Sequence, residues 1–131
     1  LVMGHADFKT QEAELGHFVR RWAGRRIPLK EWRRMRRLAL AHVLGQAVYE
    51  HRPDRVVERV WRAYCRTQPS LGNRVSQLRM WASNPPKTRR ARQLLRRRVR
   101  TLARDVAAST MGRDARRILA GLFAEDLARL E

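Results

Sequence analysis

The sequence predicts an all-α protein, a compact bundle of about five to six helices. Apolar residues recur with helical spacing in several segments, and glycine and proline interrupt these segments at intervals. No run of β-branched or aromatic residues alternates with the period of two that marks a strand. With 131 residues, 44% of them hydrophobic, the chain suffices for one core and is too short for two. We therefore expect one helical domain over residues 1–131, with residues 1–9 as a flexible end.

The first two helices are delimited by a polar cap, a glycine and a proline. Thr10 is a suitable N-cap for a first helix over residues 11–23, and Gly24 is a suitable stop. Pro28 then favours the start of a second helix over residues 29–50.

Proline, glycine and threonine mark the remaining boundaries. They predict four more helices, over residues 53–67, 72–83, 89–108 and 113–130. Thr88 is the expected N-cap of the fifth helix, and Asn84, Pro85 and Pro86 end the fourth.

The charge balance is strongly positive and points to a polyanionic partner. Lys plus Arg is 30 against 12 acidic residues, a formal net charge of +18. Only Lys9, Lys30 and Lys87 are lysines, so 27 of the 30 are arginine. The guanidinium donor fork matches phosphate oxygens bidentately, although a GC-rich genome would also raise the share of arginine. Nucleic acid is the first candidate partner, and an anionic membrane surface is the second.

The third helix shows the clearest separation of charge from core. Four arginines share one narrow stripe: Arg55, Arg59, Arg62 and Arg66. Apolar residues occupy the opposite side: Val57, Val60, Trp61 and Tyr64. This pattern predicts a buried face backed by a row of guanidinium groups.

The second helix repeats the scheme in its first half only. Its basic side carries four residues: Lys30, Arg33, Arg34 and Arg37. Trp32, Met35 and Ala39 point away from them, toward an expected core. Residues 38–48 are apolar nearly all round and are predicted to be the buried centre of the fold.

The fifth helix is the most heavily charged. Its predicted core seam consists of Leu95, Val99, Leu102 and Val106. One flank carries Arg90, Arg97, Arg100 and Arg104, and another carries Arg89, Arg92 and Arg96. Between Glu58 and Asp105 the sequence has 14 basic residues and no acid, whereas the sixth helix mixes both signs. We therefore expect the positive field to lie between Arg59 and Arg104 and at the start of the second helix.

The sequence contains no recognisable catalytic or metal-binding pattern. Cys65 is the only cysteine, and the four histidines lack metal-ligand spacing. His42 is interpreted as a hydrogen-bonded core histidine, and Glu58 as an acid that orients Arg62 through an i,i+4 contact. Trp81 could stack on a base beside the basic helix, but core packing is the favoured interpretation. We therefore expect no enzyme, no catalytic residue, no metal and no cofactor.

A resemblance adds to this interpretation. The segment from Leu71-Gly72 through Leu78-Arg79 into the arginine-rich helix ending near Arg104 resembles the helical small-subunit family of class 1 CRISPR effector complexes. About a quarter of the chain is covered. The resemblance implies several copies arranged along larger protein subunits, which hold guide RNA, target strand or displaced strand without reading sequence.

Together these observations predict a sequence-independent nucleic-acid-binding subunit of a ribonucleoprotein that holds RNA or single-stranded DNA. The predicted nucleic-acid-binding residues are Arg33, Arg34, Arg37, Arg55, Arg59, Arg62, Arg66, Arg90, Arg97, Arg100 and Arg104. Two alternatives stay open: a helix-turn-helix DNA-binding regulator, and an adaptor for an acidic protein partner. No apolar run approaches the roughly 20 residues of a membrane span, so the expected location is the cytoplasm.

Overall fold

The computed structural model describes residues 7–131, which form six α-helices and no strand. The helices are α1 (Phe8–Trp22), α2 (Leu29–Tyr49), α3 (Asp54–Arg66), α4 (Leu71–Ala82), α5 (Arg89–Ala107) and α6 (Arg113–Arg129). The predicted all-α bundle is therefore confirmed, and α2 to α6 begin and end within one residue of their predicted bounds.

The start of α1 differs from the prediction. Asp7, not Thr10, is the N-cap: its Oδ1 accepts a hydrogen bond from the Thr10 backbone N–H at 2.9 Å. This bond is the main reason that the pKa of the Asp7 carboxyl is held below its ordinary value. Asp7 thus caps α1 and Phe8 and Lys9 are its first residues, while residues 1–6 of the predicted flexible end lie outside the described range.

The end of α2 explains the sharp turn into α3. His51 adopts a left-handed φ of 52°, and its N–H donates to the Val48 carbonyl. The N–H of Arg52 donates to the Ala47 carbonyl at 3.0 Å, which completes a Schellman motif. Pro53 follows directly and precedes the first turn of α3.

Most of the buried side chains form one cluster, here called the main core. It draws on the second half of α2 and on α3 to α6, from Ala41 to Leu130. Within it α2 packs on α3 and α4, while α5 packs on α4 and α6. The predicted α5 seam is entirely buried here: Leu95, Val99, Leu102 and Val106. The predicted buried centre of α2, residues 38–48, is confirmed in part: most of its residues are buried or half-buried, but Val43 and Gln46 are exposed.

A smaller group of buried side chains, here called the satellite cluster, joins α1 to the first half of α2. It consists of Phe18, Met35 and Leu38, with Leu15 and Trp22 packed partly buried against it. Because α1 packs on α2 and contributes nothing to the main core, this cluster is the principal attachment of α1.

Candidate nucleic-acid interface

The arginine stripe of α3 lies on the exposed side of the helix, as predicted. Its four members are all exposed, while Val57, Trp61 and Tyr64 behind them are buried. Arg62 Nε lies 3.2 Å from Glu58 Oε1, which is the i,i+4 contact that the sequence predicts. The other three members form no ion pair with any residue from 7 to 131: Arg55, Arg59 and Arg66.

The two arginine flanks of α5 have different surroundings. The first flank is exposed and forms no ion pair within the described range: Arg90, Arg97, Arg100 and Arg104. On the second flank, Arg92 donates to the carbonyls of Pro86 and Lys87, and Arg96 lies 3.8 Å from Glu131. The first flank therefore keeps its donors for a partner, whereas most of the second is used within the fold.

A groove runs between α3 and α5, here called the α3–α5 groove. It consists of two depressions of about 510 and 320 Å³ that share Leu94 and Arg97. Basic residues on its walls come from α3, α4 and α5: Arg55, Arg74, Arg90, Arg97 and Arg98. The fold thus brings part of the α3 stripe and part of the first α5 flank to one concave surface.

Side-chain bonds cross the groove and fix its two walls. Thr88 Oγ1 donates to Asp54 Oδ2 at 3.0 Å, and Arg98 donates to Glu58, which also accepts from Arg62. The Arg98 guanidinium is half-buried, and this burial lowers its pKa. Sequence spacing indicated the Arg62 partner but not Arg98, since Arg98 comes from another helix 40 residues further along the chain.

Acids from distant segments meet several arginines of the acid-free interval. Arg74 lies 3.5 Å from Asp105, and Arg79 Nε lies 3.0 Å from Asp126. Asp126 is fully buried and also accepts from Arg129. Between Glu58 and Asp105, fewer arginines therefore lack an acidic partner than the sequence suggests, and those that do lie mainly on the exposed sides of α3 and α5.

The arginines predicted on α2 lie apart from the groove. Arg34 pairs with Glu31 at 3.3 Å, while Arg33 is exposed. Arg37 is half-buried and donates through Nε and Nη2 to the Thr67 carbonyl at 3.2 and 2.8 Å. Arg37 therefore ties α2 to the end of α3, and none of these arginines lines either depression.

The structure confirms the favoured prediction for Trp81 and contradicts the prediction for Trp32. Trp81 is buried against Trp61, with ring centroids 6.1 Å apart, so core packing is confirmed and stacking on a base is excluded for it. Trp32, expected to face a core, is 54% exposed. The contact of α1 with the first half of α2 buries Phe18, Met35 and Leu38 and leaves much of the Trp32 ring uncovered.

The histidines, the cysteine and the acids of the described part of the chain do not gather into a candidate metal site. No group of three or more His, Cys, Asp or Glu there could hold a metal ion. Burial raises the pKa of the Cys65 thiol, which disfavours the nucleophilic thiolate. His42 stacks on Phe8 at 4.1 Å, but its Nδ1 has no hydrogen-bond partner among residues 7–131, contrary to the prediction for this atom.

No helix within residues 7–131 combines the length and the apolar character that crossing a membrane requires. A comparison of the chain with protein-family models, curated proteins and solved structures finds no match.

Proposed function

We propose that this chain is a non-enzymatic, sequence-independent nucleic-acid-binding subunit of a ribonucleoprotein, and that it holds the phosphate backbone along the α3–α5 groove. The observation that carries this proposal is the presence of exposed arginines without acidic partners on both walls. Arg55 stands on the α3 side, and Arg90 and Arg97 stand on the α5 side.

The spacing of these arginines suits an extended polyanion. Arg90, Arg97 and Arg104 recur every seven residues along α5, so about 10.5 Å of helix separates successive members. Arg55 and Arg62 have the same separation on α3. Guanidinium groups repeated at this spacing on two helices favour repeated bidentate contacts with phosphate oxygens, and such contacts position a strand without reading its bases.

The assembly part of the proposal is supported by the resemblance to the small subunits of class 1 CRISPR effector complexes. Such a subunit works in several copies beside larger protein subunits, in the cytoplasm, and holds RNA or single-stranded DNA. The mixed charge of α6, with Asp114 and Glu125 among its arginines, suits contacts with such protein subunits better than it suits a phosphate groove.

A helix-turn-helix regulator is the second candidate. The observation that favours it is that α3 packs on α2 through a tight turn while exposing its arginine side. A regulator prefers one duplex over bulk DNA by roughly 10³-fold or more. Competition of a bound labelled strand with unrelated strands and duplexes separates the two: a sequence-independent subunit shows similar affinities for competitors of equal length and strandedness.

Salt dependence tests the proposed backbone contacts. If the groove, together with the exposed arginines beside it on α3 and α5, neutralises about six to ten phosphates, affinity for an oligonucleotide should fall roughly 10³- to 10⁵-fold between 50 and 200 mM salt. Fluorescence anisotropy with a labelled oligonucleotide at a series of salt concentrations measures this slope. Affinity that barely changes over this range would contradict the proposal. Purified protein free of nucleic acid, together with tight binding to an acidic protein, would favour an adaptor instead.

A further inference from the structure

A second surface hollow, separate from the α3–α5 groove, lies where the first loop enters α2. It has a volume of about 570 Å³ and is lined by Arg25, Arg26, Ile27, Pro28, Leu29 and Trp32. Neither depression of the groove shares a lining residue with it. The hollow combines an exposed aromatic ring with two guanidinium groups and contains no carboxylate.

Trp32 is held in place although it is exposed. Its ring lies against Phe18, with centroids 6.5 Å apart and planes at 30°. Phe18 in turn is buried against Met35 and Leu38 in the satellite cluster. Because its support is buried, Trp32 has a fixed neighbour on one side while 54% of its surface remains open to solvent.

Positive charge surrounds this ring on several sides. Arg25 and Arg26 lie in the hollow itself, and Arg33 and Arg36 lie within about one turn of Trp32 on the exposed side of α2. The acid nearest to Trp32 in the sequence is Glu31, and its carboxylate already forms an ion pair with Arg34. The ligand that complements this surface is therefore anionic and carries a flat apolar group.

We propose that the hollow binds an unpaired base of a single-stranded nucleic acid, which stacks on Trp32 while the arginines hold the flanking phosphates. This proposal rests on the proposed function and narrows it to single strands, because the bases of a duplex already stack on their neighbours. A base is favoured over the apolar anchor of an acidic peptide because the hollow is shallow and open, whereas peptide anchors fill well-packed pockets.

The experiment compares two strands and two variants. The strands are an oligothymidylate and an abasic oligonucleotide of equal length, which has the same phosphates without bases. Trp32→Leu keeps an apolar contact with Phe18 but removes the aromatic face, and Trp32→Tyr keeps an aromatic face. Circular dichroism confirms that both variants retain the helical content of the wild type.

Wild-type protein should bind the oligothymidylate roughly five- to 150-fold more tightly than the abasic strand, which is the range expected for stacking of one base. Trp32→Leu should lose most of this ratio with little change in affinity for the abasic strand, and Trp32→Tyr should retain it. Oligothymidylate should also quench tryptophan fluorescence in the wild type, and this quenching should be largely absent in Trp32→Tyr.

Results that contradict base stacking at Trp32 can be distinguished from results that contradict nucleic-acid binding as a whole. If Trp32→Leu keeps the wild-type ratio while both strands bind with steep salt dependence, base stacking at Trp32 is wrong and backbone binding stands. If the wild type binds neither strand at low salt, both proposals fail. An acidic peptide that binds the wild type tightly but not Trp32→Leu, with no preference for bases, would assign the hollow to a protein partner and overturn this proposal.

Discussion

The main core and the satellite cluster show how differently two parts of one basic chain are stabilised. The main core collects buried side chains from five helices, and the fully buried Asp126 accepts hydrogen bonds from Arg79 and Arg129 beside it. The satellite cluster has three buried residues and is bordered by exposed apolar side chains, among them Val19 and Trp32. The number of neighbouring helices, not the composition, distinguishes the two regions.

Each of the two proposed binding surfaces is supported by a different one of these clusters. The α3–α5 groove stands on helices anchored in the main core, so its arginines project from a rigid support. Trp32 lies against the satellite cluster, where α1 packs mainly on α2. We therefore expect α1 and the start of α2 to open locally at a lower free energy than the helices that carry the groove.

Removal of a large apolar side chain from each cluster should have the largest effect on stability. Leu95→Ala in the main core should lower the free energy of unfolding by about 2–5 kcal/mol, as measured by urea denaturation. Phe18→Ala should instead accelerate amide hydrogen exchange in α1 and leave the slowest amides of α5 nearly unchanged. Equal loss of global stability in both variants, with α1 and α5 exchanging together, would show that the chain has one cooperative core.

Loss of an ion pair should also cost more stability in the main core than beside the satellite cluster. Asp126→Ala leaves Arg79 without its buried partner and should cost roughly 3 kcal/mol. Glu31→Ala removes a pair with the exposed Arg34 and should cost less than about 1 kcal/mol. Thermal and urea denaturation of the two variants give this comparison. If the two variants lost similar amounts of stability, the burial of Asp126 would not make its ion pairs more important than the exposed pair of Glu31.

The helix caps should give the smallest effects. Thr88 accepts a hydrogen bond from the Ala91 N–H at 3.2 Å and donates one to Asp54, so Thr88→Ala should lower the free energy of unfolding by about 1 kcal/mol.

Asp7→Ala should only increase fraying at the start of α1, visible as faster hydrogen exchange there. Because the pKa of Asp7 is lowered in the folded chain, its capping is present at neutral pH and is lost as the pH falls through that lowered value. Fraying of α1 that does not change with acidification would contradict this role.

The sequence predicted the helices of the main core more accurately than the rest. The α5 seam follows a strict helical period, and every member of it is buried, because α4 and α6 cover that side. The prediction for Trp32 was wrong because helical periodicity indicates which side a residue occupies but not whether another helix covers that side. The start of α1 was misplaced because Asp7 and Thr10 are both suitable caps, and the choice depends on backbone geometry.

The candidate site was only partly predictable for a related reason. Spacing within α3 and α5 identified the exposed rows that include Arg55 and Arg97. It could not show that the two rows flank one groove, nor that Arg98 and Arg79 are paired with acids from other helices. Contacts between distant segments depend on the packing of the helices, and no pattern within one helix contains that information.

The most direct test of the groove compares two charge-reversal variants that lose the same amount of positive charge. Arg90→Glu with Arg97→Glu alters the groove, and Arg113→Glu with Arg117→Glu alters exposed arginines of α6 outside it. Anisotropy titrations with several unrelated single strands should show that the groove variant binds every strand at least roughly tenfold more weakly, with a salt slope smaller by about 1.4. The α6 variant should remain close to the wild type. Equal weakening by both variants would contradict the account, since the net charge of the chain, and not the groove, would then determine binding.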